Sequence, residues 1–405
     1  MTDTLTPRVA DRCGSVQRSP IRAIFEIAER MTGVIRLEVG EPDFRTPDAI
    51  LEAGRAAIAQ GKIGYTAMTG NKDLREAVAA HYARKFAIAV DPETEVLITA
   101  GGAPALHFAL MTTVNPGDEV LVPDPGFPNY RQVVRLIGCT PVMYPLREDP
   151  VRGFQLDPEA IRHNASPRTR AIIVNSPSNP TGGVISLDEA RELGRIVEEL
   201  DLTVISDEVY DALVYDGFEH VCLKGVDGFA GRTITVGSAS KTYAMTGWRI
   251  GYAIAPAPIM TYMATFQSLI DICANRISQV AYKAALSGVA DGAVAAMRDE
   301  FIQRRNLVVE ALNAIPGIHC PKPLGAFYAF ANISELGIPD VDFAREFLTR
   351  HKVTSVPGSG FGPSGQGHLR FSYASSLENL KEGMERLAVF AAEVRNGLVV
   401  QGAGS

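Results

Sequence analysis

The chain has 405 residues, of which 46% are hydrophobic and 21% charged, and its formal net charge is -7. This length suffices for one large domain of about 250 to 300 residues and a smaller one. Because no apolar run approaches the ~18 residues of a membrane helix and no basic cluster is present, we expect neither a membrane nor a nucleic-acid partner.

Patterns of apolar residues divide the chain from its N-terminus onward. Residues 1 to about 15 are unpatterned, which predicts an arm or disordered tail, and helical spacing begins at Ile21. From about 46 to 290, short apolar runs alternate with helical patterns, one of which, 187–200, begins with a capping box. The predicted strands are 96–100, 120–123, 171–175, 203–206, 233–237 and 250–255. Such alternation predicts an α/β fold with a mostly parallel, doubly wound sheet.

The pattern changes after a long helical stretch at 293–315. Strands are predicted at 325–330, 353–356 and 368–372, followed by a helix at 377–394, and a glycine-rich loop spans 357–367. These elements predict a smaller α+β domain. We therefore expect an N-terminal arm and part of the small domain at 1–45, a large domain at 46–290, and the C-terminal small domain at 291–405.

Cysteine and histidine positions argue against disulfides and metals. The five cysteines are odd in number and form no C-x-x-C pair, and the histidines lack ligand spacing. Charged residues interrupt the first thirty positions, so no secretory signal is predicted. We expect a cytoplasmic protein with reduced thiols and no metal site.

Two hydroxyls, a lysine and an arginine follow the predicted strand at 233–237. Ser238, Ser240 and Lys241 form the pattern Ser-x-Ser-Lys, and Arg249 follows in Gly-x-Arg. A lysine with a lowered pKa can form a Schiff base with an aldehyde, and the other three side chains can anchor a phosphate. Taken alone, an ordinary strand-to-loop turn explains the segment equally well.

Two earlier loops also follow predicted strands. Gly102 and Ala103 open an apolar helix, where backbone N–H groups can face an anion, although a simple tight turn has the same composition. Phe127 lies in the loop after 120–123 and can stack on a flat ring or fill the core beneath a proline-rich turn.

Two later loops carry polar side chains. Asn179 lies in Asn-Ser-Pro-Ser-Asn-Pro-Thr-Gly after the strand 171–175, and Asp207 and Tyr210 follow the strand 203–206. A generic Asn-Pro turn explains part of the first loop, and an Asp that supports a turn is common at strand ends.

Together these motifs resemble the fold-type-I pyridoxal-phosphate enzymes, namely the class I and II aminotransferases, in order over about residues 20 to 380. The resemblance implies pyridoxal 5′-phosphate bound to Lys241, with Asp207 on the ring nitrogen and Tyr210 and Asn179 on the phenolic oxygen. It places Phe127 on the ring face. It assigns the phosphate to Gly102, Ala103, Ser238, Ser240 and Arg249; Pro104 departs from the family pattern and removes one N–H donor.

The same resemblance implies a substrate site and a homodimer. Gly40 contacts the substrate through its backbone, Arg370 binds the α-carboxylate, and Tyr65 reaches the phosphate of the partner subunit. Our alignment places Ile270, and at the N-terminus Ile21, where relatives select the distal side chain. Two isoleucines predict neutral or apolar amino acids as donors rather than aspartate.

The sequence therefore predicts an aminotransferase that moves an amino group from an amino acid to a 2-oxo acid, with Lys241, Asp207 and Tyr210 as catalytic residues. One alternative is a lyase, decarboxylase or cyclopropane-forming synthase on the same fold. An aspartate aminotransferase with another distal-carboxylate site, for example through Arg276, is a second. A third is the effector domain of a transcription regulator, but the residues before Gly40 contain no basic helix.

Overall fold

The computed structural model describes residues 9–10, 13–14 and 20–399. In the first helix, it describes side chains only from Ile24 onward. Most of the predicted arm and the side chain of Ile21 lie outside the described residues. The α-helices of the described part are α1 (Pro20–Glu29), α2 (Asp48–Ala59), α3 (Lys72–Phe86), α4 (Gly102–Thr113), α5 (Pro128–Leu136), α6 (Pro158–Asn164), α7 (Leu187–Glu199), α8 (Ala239–Thr242), α9 (Ala257–Ile270), α10 (Arg276–Ala284), α11 (Asp291–Asn313), α12 (Asp340–His351) and α13 (Leu377–Arg395).

The strands form one large sheet, a small sheet and a hairpin. They are β1 (Val96–Thr99), β2 (Glu119–Asp124), β3 (Thr140–Pro145), β4 (Arg147–Asp149), β5 (Gly153–Gln155), β6 (Thr169–Asn175), β7 (Thr203–Asp207), β8 (Thr233–Ser238), β9 (Gly251–Ile254), β10 (Tyr328–Asn332), β11 (Val356–Pro357) and β12 (His368–Ser372). The seven-stranded sheet has the order β1-β9-β8-β7-β6-β2-β3.

The large sheet is mostly parallel, as the sequence predicted. Strands β3, β2, β6, β7 and β8 run parallel, and β9 is antiparallel to both of its neighbours. Helices cover both faces: α4 and α9 pack on one side through Phe108 and Met263, and α7 packs on the other through Leu193 and Val197. Burial on both faces explains the nearly continuous apolar runs of the central strands.

Edge strand β3 was not predicted. Its residues are mostly half-exposed, and it contains Pro141 and Pro145. An edge strand tolerates proline and needs no apolar alternation, so the local sequence does not indicate a strand.

The small sheet has the antiparallel order β10-β12-β11. Its core contains Phe327, Phe343 and Phe390, and Ile24 and Leu37 from the N-terminal part pack into the same core. Two predicted strands were wrong in extent. The strand predicted at 325–330 begins only at Tyr328, because the preceding chain turns with a positive φ of 56° at Ala326. The strand predicted at 353–356 is reduced to Val356–Pro357, and Val353 makes only an isolated bridge to Ile35.

The parallel strands bring four predicted loops to one edge of the sheet. Strands β2, β6, β7 and β8 end at Asp124, Asn175, Asp207 and Ser238. Since parallel strands share the direction of their carboxyl ends, the loops that follow converge there. Within the described residues, no helix combines the length and the apolar character needed to cross a bilayer.

Candidate active site

A cavity of about 930 Å³ lies at this edge, between the large sheet and the small sheet, from which Tyr328 and Arg370 line it. It brings together most of the residues that the sequence singled out. Its lining includes Gly40, Gly102, Ala103, Phe127, Asn179, Asp207, Tyr210, Ser238, Ser240, Lys241, Arg249 and Arg370.

Two predicted site residues do not line this cavity within one chain. Tyr65 is 79% exposed, and Ile270, the last residue of α9, is 56% exposed. The predictions that Tyr65 acts on a partner subunit and that Ile270 selects the substrate therefore remain predictions.

Lys241 lies in the short helix α8, directly after β8. Ser238 caps this helix by accepting a hydrogen bond from the Ser240 N–H at 3.2 Å, and Lys241 Nζ donates to the Gly40 carbonyl oxygen. Burial lowers the pKa of Lys241 to about 8, with Arg370 and Arg249 adding to the effect and Glu41 opposing it. A considerable fraction of this amine is neutral near physiological pH, which favours its action as a nucleophile or base.

Asp207 ends β7 and is only 9% exposed. Its Oδ2 accepts a hydrogen bond from the Tyr130 hydroxyl at 2.6 Å, and its backbone oxygen accepts one from Asn175 Nδ2 at 3.0 Å. Burial raises the pKa of the Asp207 carboxyl to about 6, although the Tyr130 bond acts in the opposite direction. A cation placed beside this carboxylate would offset the cost of its burial.

Hydrogen-bond donors surround the beginning of α4. The Gly101 φ of 103° favours glycine, and a Cβ there would lie 2.7 Å from Arg249 Nη2. Ser238 Oγ and Ser240 Oγ are 2.9 Å apart on the neighbouring turn. A helix N-terminus, two hydroxyls and a guanidinium are together suited to bind a phosphate.

Arg370 lies on β12 and is buried. Its Nη1 donates to Asn179 Oδ1 at 2.9 Å and its Nη2 to the Glu38 carbonyl oxygen at 2.6 Å, while its Nε has no hydrogen-bond partner among the residues that the structure describes. The guanidinium carbon lies 4.4 Å from the ring centre of Tyr328 and 5.1 Å from that of Phe361. Both hydrogen-bond acceptors are neutral, so this buried cation is suited to bind an anion from the cavity.

Aromatic residues that the sequence did not assign to the site also line the cavity, among them Tyr130, Tyr328 and Phe361. The Tyr130 hydroxyl donates a hydrogen bond to Asp207, whereas the rings of Tyr328 and Phe361 contact the Arg370 guanidinium. Tyr130 carried a weak signal because it follows Phe127 by three positions, in the first turn of α5. Tyr328 and Phe361 carried none, since their neighbours come from distant parts of the chain.

Comparisons with known proteins agree with this geometry. The family model "Aminotransferase class I and II" matches residues 32–387. The chain is 39% identical to an aromatic-amino-acid aminotransferase 2 of Thermococcus litoralis, over 94% of this chain and 97% of the relative. It is 40% identical to an aspartate aminotransferase of Pyrococcus abyssi, with the same coverage.

A solved structure extends the comparison to the fold. An aromatic aminotransferase from Pyrococcus horikoshii superposes with a TM-score of 0.87 at 39% identity, covering 93% of this chain and 100% of the other. The fold-type-I architecture predicted from the sequence is thus confirmed, and an enzyme that transfers amino groups is favoured over the lyase and regulator alternatives. The chain belongs to the class I and II aminotransferase family.

Proposed function

We propose that this aminotransferase uses pyridoxal 5′-phosphate bound to Lys241 and prefers neutral donors. The observation that carries the proposal is one cavity that holds a partly buried amine, a buried carboxylate and a buried guanidinium. Lys241, Asp207 and Arg370 are these groups, and the N-terminus of α4 adds an anion-binding end. The unpartnered Arg370 Nε and the costly burial of Asp207 indicate a site that is complete only with an anion and a cation bound.

The residues present fit this cofactor. The phosphate would be held by Ser238, Ser240, Arg249 and the N–H groups of Gly102 and Ala103. The ring would lie against Phe127, with its nitrogen at Asp207 and its phenolic oxygen at Tyr210 and Asn179. When bound, pyridoxal phosphate supplies an aldehyde that reacts with amines and a ring that draws electrons from the α-carbon.

The side chains of the chain supply the remaining functions. Arg370 binds the substrate α-carboxylate with two parallel donors, and the Gly40 backbone contacts the substrate beside it. Lys241 Nζ would take the proton from the substrate α-carbon and deliver it to the cofactor carbon C4′, for which a pKa of about 8 is well matched to physiological pH. Asp207 would hold a proton on the ring nitrogen, and Tyr210 would stabilise charge on the phenolic oxygen.

Borohydride reduction of the purified protein followed by peptide mapping tests the cofactor assignment. The pyridoxyl label is expected on Lys241. Lys224 and Lys283 serve as internal controls, because both lie outside the cavity in ion pairs with Glu95 and Asp73. A label on either lysine, or none at all, would contradict the proposal.

The charges of the cavity support the preference for neutral donors. Among the described residues that line it, the cations are Lys241, Arg249 and Arg370, all of which are assigned to the cofactor or the α-carboxylate. The side chains of Glu29 and Glu41 border the same cavity and would repel a distal carboxylate. The relatives carry names of both aromatic and aspartate enzymes, so the donor must be measured.

Specificity constants for aspartate, alanine, leucine and phenylalanine decide this question. We expect the neutral amino acids to exceed aspartate. A tenfold preference for aspartate would contradict the role of Ile21 and Ile270, and loss of that preference in Arg276→Ala would identify the responsible cation.

We also propose a cytoplasmic homodimer in which Tyr65 contacts the partner's cofactor. Ile63, Tyr65, Leu269 and Ile270 are apolar or aromatic and exposed, and their two segments are tied together where Gln267 Nε2 donates to the Met68 carbonyl oxygen. A second copy would cover this surface. Light scattering should give twice the chain mass, and Tyr65→Phe should weaken cofactor retention; a monomer that retains full activity would contradict the proposal.

A further inference from the structure

Tyr328 lines the cavity and contacts several groups of the site. It is the first residue of β10 and is 1% exposed. Its hydroxyl oxygen lies 2.9 Å from that of Tyr210, and its ring lies beneath the Arg370 guanidinium. In the register of β10 and β12, Arg370 faces Phe330, two residues along from Tyr328, so all three side chains share one face of the sheet.

Gly40 encloses the Tyr328 hydroxyl on another side. A Cβ at Gly40 would lie 2.6 Å from Tyr328 Oη, and the Gly40 backbone is not in the left-handed region. The hydroxyl, rather than the backbone, therefore excludes a side chain at this position. Among the described residues, the hydrogen-bond partner of this enclosed hydroxyl is Tyr210.

We propose that Tyr328 is a positioning residue that directs the proton of Tyr210 toward the cofactor. The inference rests on the proposed function, in which Tyr210 binds the phenolic oxygen. In a pair of hydroxyls, one donates to the other. When Tyr328 donates its proton to the Tyr210 oxygen, the Tyr210 proton remains available for an anionic oxygen in the cavity. Donation from Tyr328 also polarises Tyr210 and makes it a stronger donor.

The variant Tyr328→Phe removes the hydroxyl and keeps the ring beneath Arg370. The measurement is a pH titration of the absorbance of the bound cofactor in the holoenzyme. Because a weaker donor at Tyr210 stabilises the deprotonated form less, the apparent pKa of the bound cofactor should rise by about 0.3 to 0.5 pH unit. The charged groups that face the pair, Arg370 and Asp207, are unchanged in this variant.

Tyr373→Phe is the matched control. Tyr373 is equally buried in the same core, but its hydroxyl donates to the Ala326 carbonyl oxygen at 3.3 Å, and Tyr373 does not line the cavity. The control should leave the titration unchanged. An equal shift in both variants would mean that loss of any core hydroxyl disturbs the site, and it would overturn the proposal.

A double variant separates positioning from a structural effect. Tyr210→Phe alone should raise the apparent pKa of the cofactor more than Tyr328→Phe does, and adding Tyr328→Phe to it should produce no further shift. Independent, additive shifts would overturn the proposal, as would an unchanged titration or a loss of bound cofactor in Tyr328→Phe alone. A wild-type protein without a cofactor absorbance band would instead refute the proposed function, and this inference with it.

A second pair of variants tests the location of the hydroxyl. Gly40→Ala should weaken cofactor retention because the new methyl group meets Tyr328 Oη. Adding Tyr328→Phe should restore retention, since the next nearest atom, the ring carbon Cζ, is 3.7 Å away. No recovery in the double variant would show that the hydroxyl is not the group that Gly40 accommodates.

Discussion

The variant Asp207→Asn is expected to stabilise the cofactor-free protein while it impairs the enzyme. Asp207 is 9% exposed, and burial raises the pKa of its carboxyl from 3.8 to about 6. The hydrogen bond from Tyr130 opposes this rise without cancelling it. At neutral pH the carboxylate is ionised in both the folded and the unfolded chain, so the fold bears the cost of burying that charge.

The magnitude follows from proton linkage. Between pH 3.8 and 6 the folded protein binds more protons at Asp207 than the unfolded chain does, so its stability falls as the pH rises through this window. The difference between the two pKa values corresponds to about 3 kcal/mol at neutral pH. An asparagine carries no charge and its Oδ1 can accept the same bond from Tyr130. The free energy of unfolding of the variant should therefore exceed that of the wild type by up to ~3 kcal/mol at pH 7.5, and this difference should be about 1 kcal/mol smaller at pH 5.

Urea unfolding of the cofactor-free proteins at pH 5 and 7.5, at matched protein concentration, measures this difference. Asp211→Asn is the control of opposite sign. Although burial acts to raise it, the ion pair with Lys85 and the nearby His220 lower the pKa of Asp211 to about 2. The stabilising contribution of the Asp211 carboxylate is present above pH 3.8 and is lost as the pH falls. The free energy of unfolding of Asp211→Asn should therefore be about 2 kcal/mol below that of the wild type at both pH values.

A buried, destabilising charge at Asp207 would be refuted if Asp207→Asn were no more stable than the wild type at pH 7.5, or if its gain in stability were the same at pH 5. With cofactor bound, turnover of Asp207→Asn should fall ~100-fold or more, because a neutral amide cannot hold a proton on the ring nitrogen. Turnover near the wild-type value would mean that another group protonates the ring.

Three further variants or conditions test the rest of the site. Because burial lowers the pKa of Lys241 to about 8, the rate of pyridoxal phosphate uptake by the cofactor-free protein should rise with pH through about 8, whereas a midpoint near 10.5 in stopped-flow absorbance would show an unperturbed amine. Arg370→Lys should raise KM for amino donors by roughly 10-fold or more, since one ammonium cannot replace two parallel donors, and an unchanged KM would remove Arg370 from substrate binding. Gly101→Ala should accelerate cofactor loss on dialysis, because φ is 103° and the new Cβ would press on Arg249; equal retention would contradict the phosphate assignment.

Local sequence was sufficient to predict the central strands of the large sheet. Strands β6, β7 and β8 are buried on both faces, so their apolar runs stand out without knowledge of their neighbours. The polar loops after these strands could be assigned to one site because the direction of a parallel sheet brings carboxyl ends together. The resemblance to the aminotransferase family singled out Asn179, Asp207 and Lys241 in these loops, and all three line the cavity.

Only the tertiary structure decided which side chains form the hydrogen bonds of that site and shift its pKa values. The hydrogen bond between Tyr130 and Asp207 joins residues that are 77 positions apart in the sequence. The corresponding separation is 118 positions for Tyr210 and Tyr328, and 191 positions for Asn179 and Arg370. Such contacts depend on domain packing and strand register, which no local pattern encodes. By itself the sequence determined the central strands of the large sheet and the polar residues that follow them, including Lys241, because hydrophobic periodicity and residue chemistry are local properties. Burial and long-range neighbours set the pKa values of Lys241 and Asp207, because desolvation depends on everything that surrounds a charge.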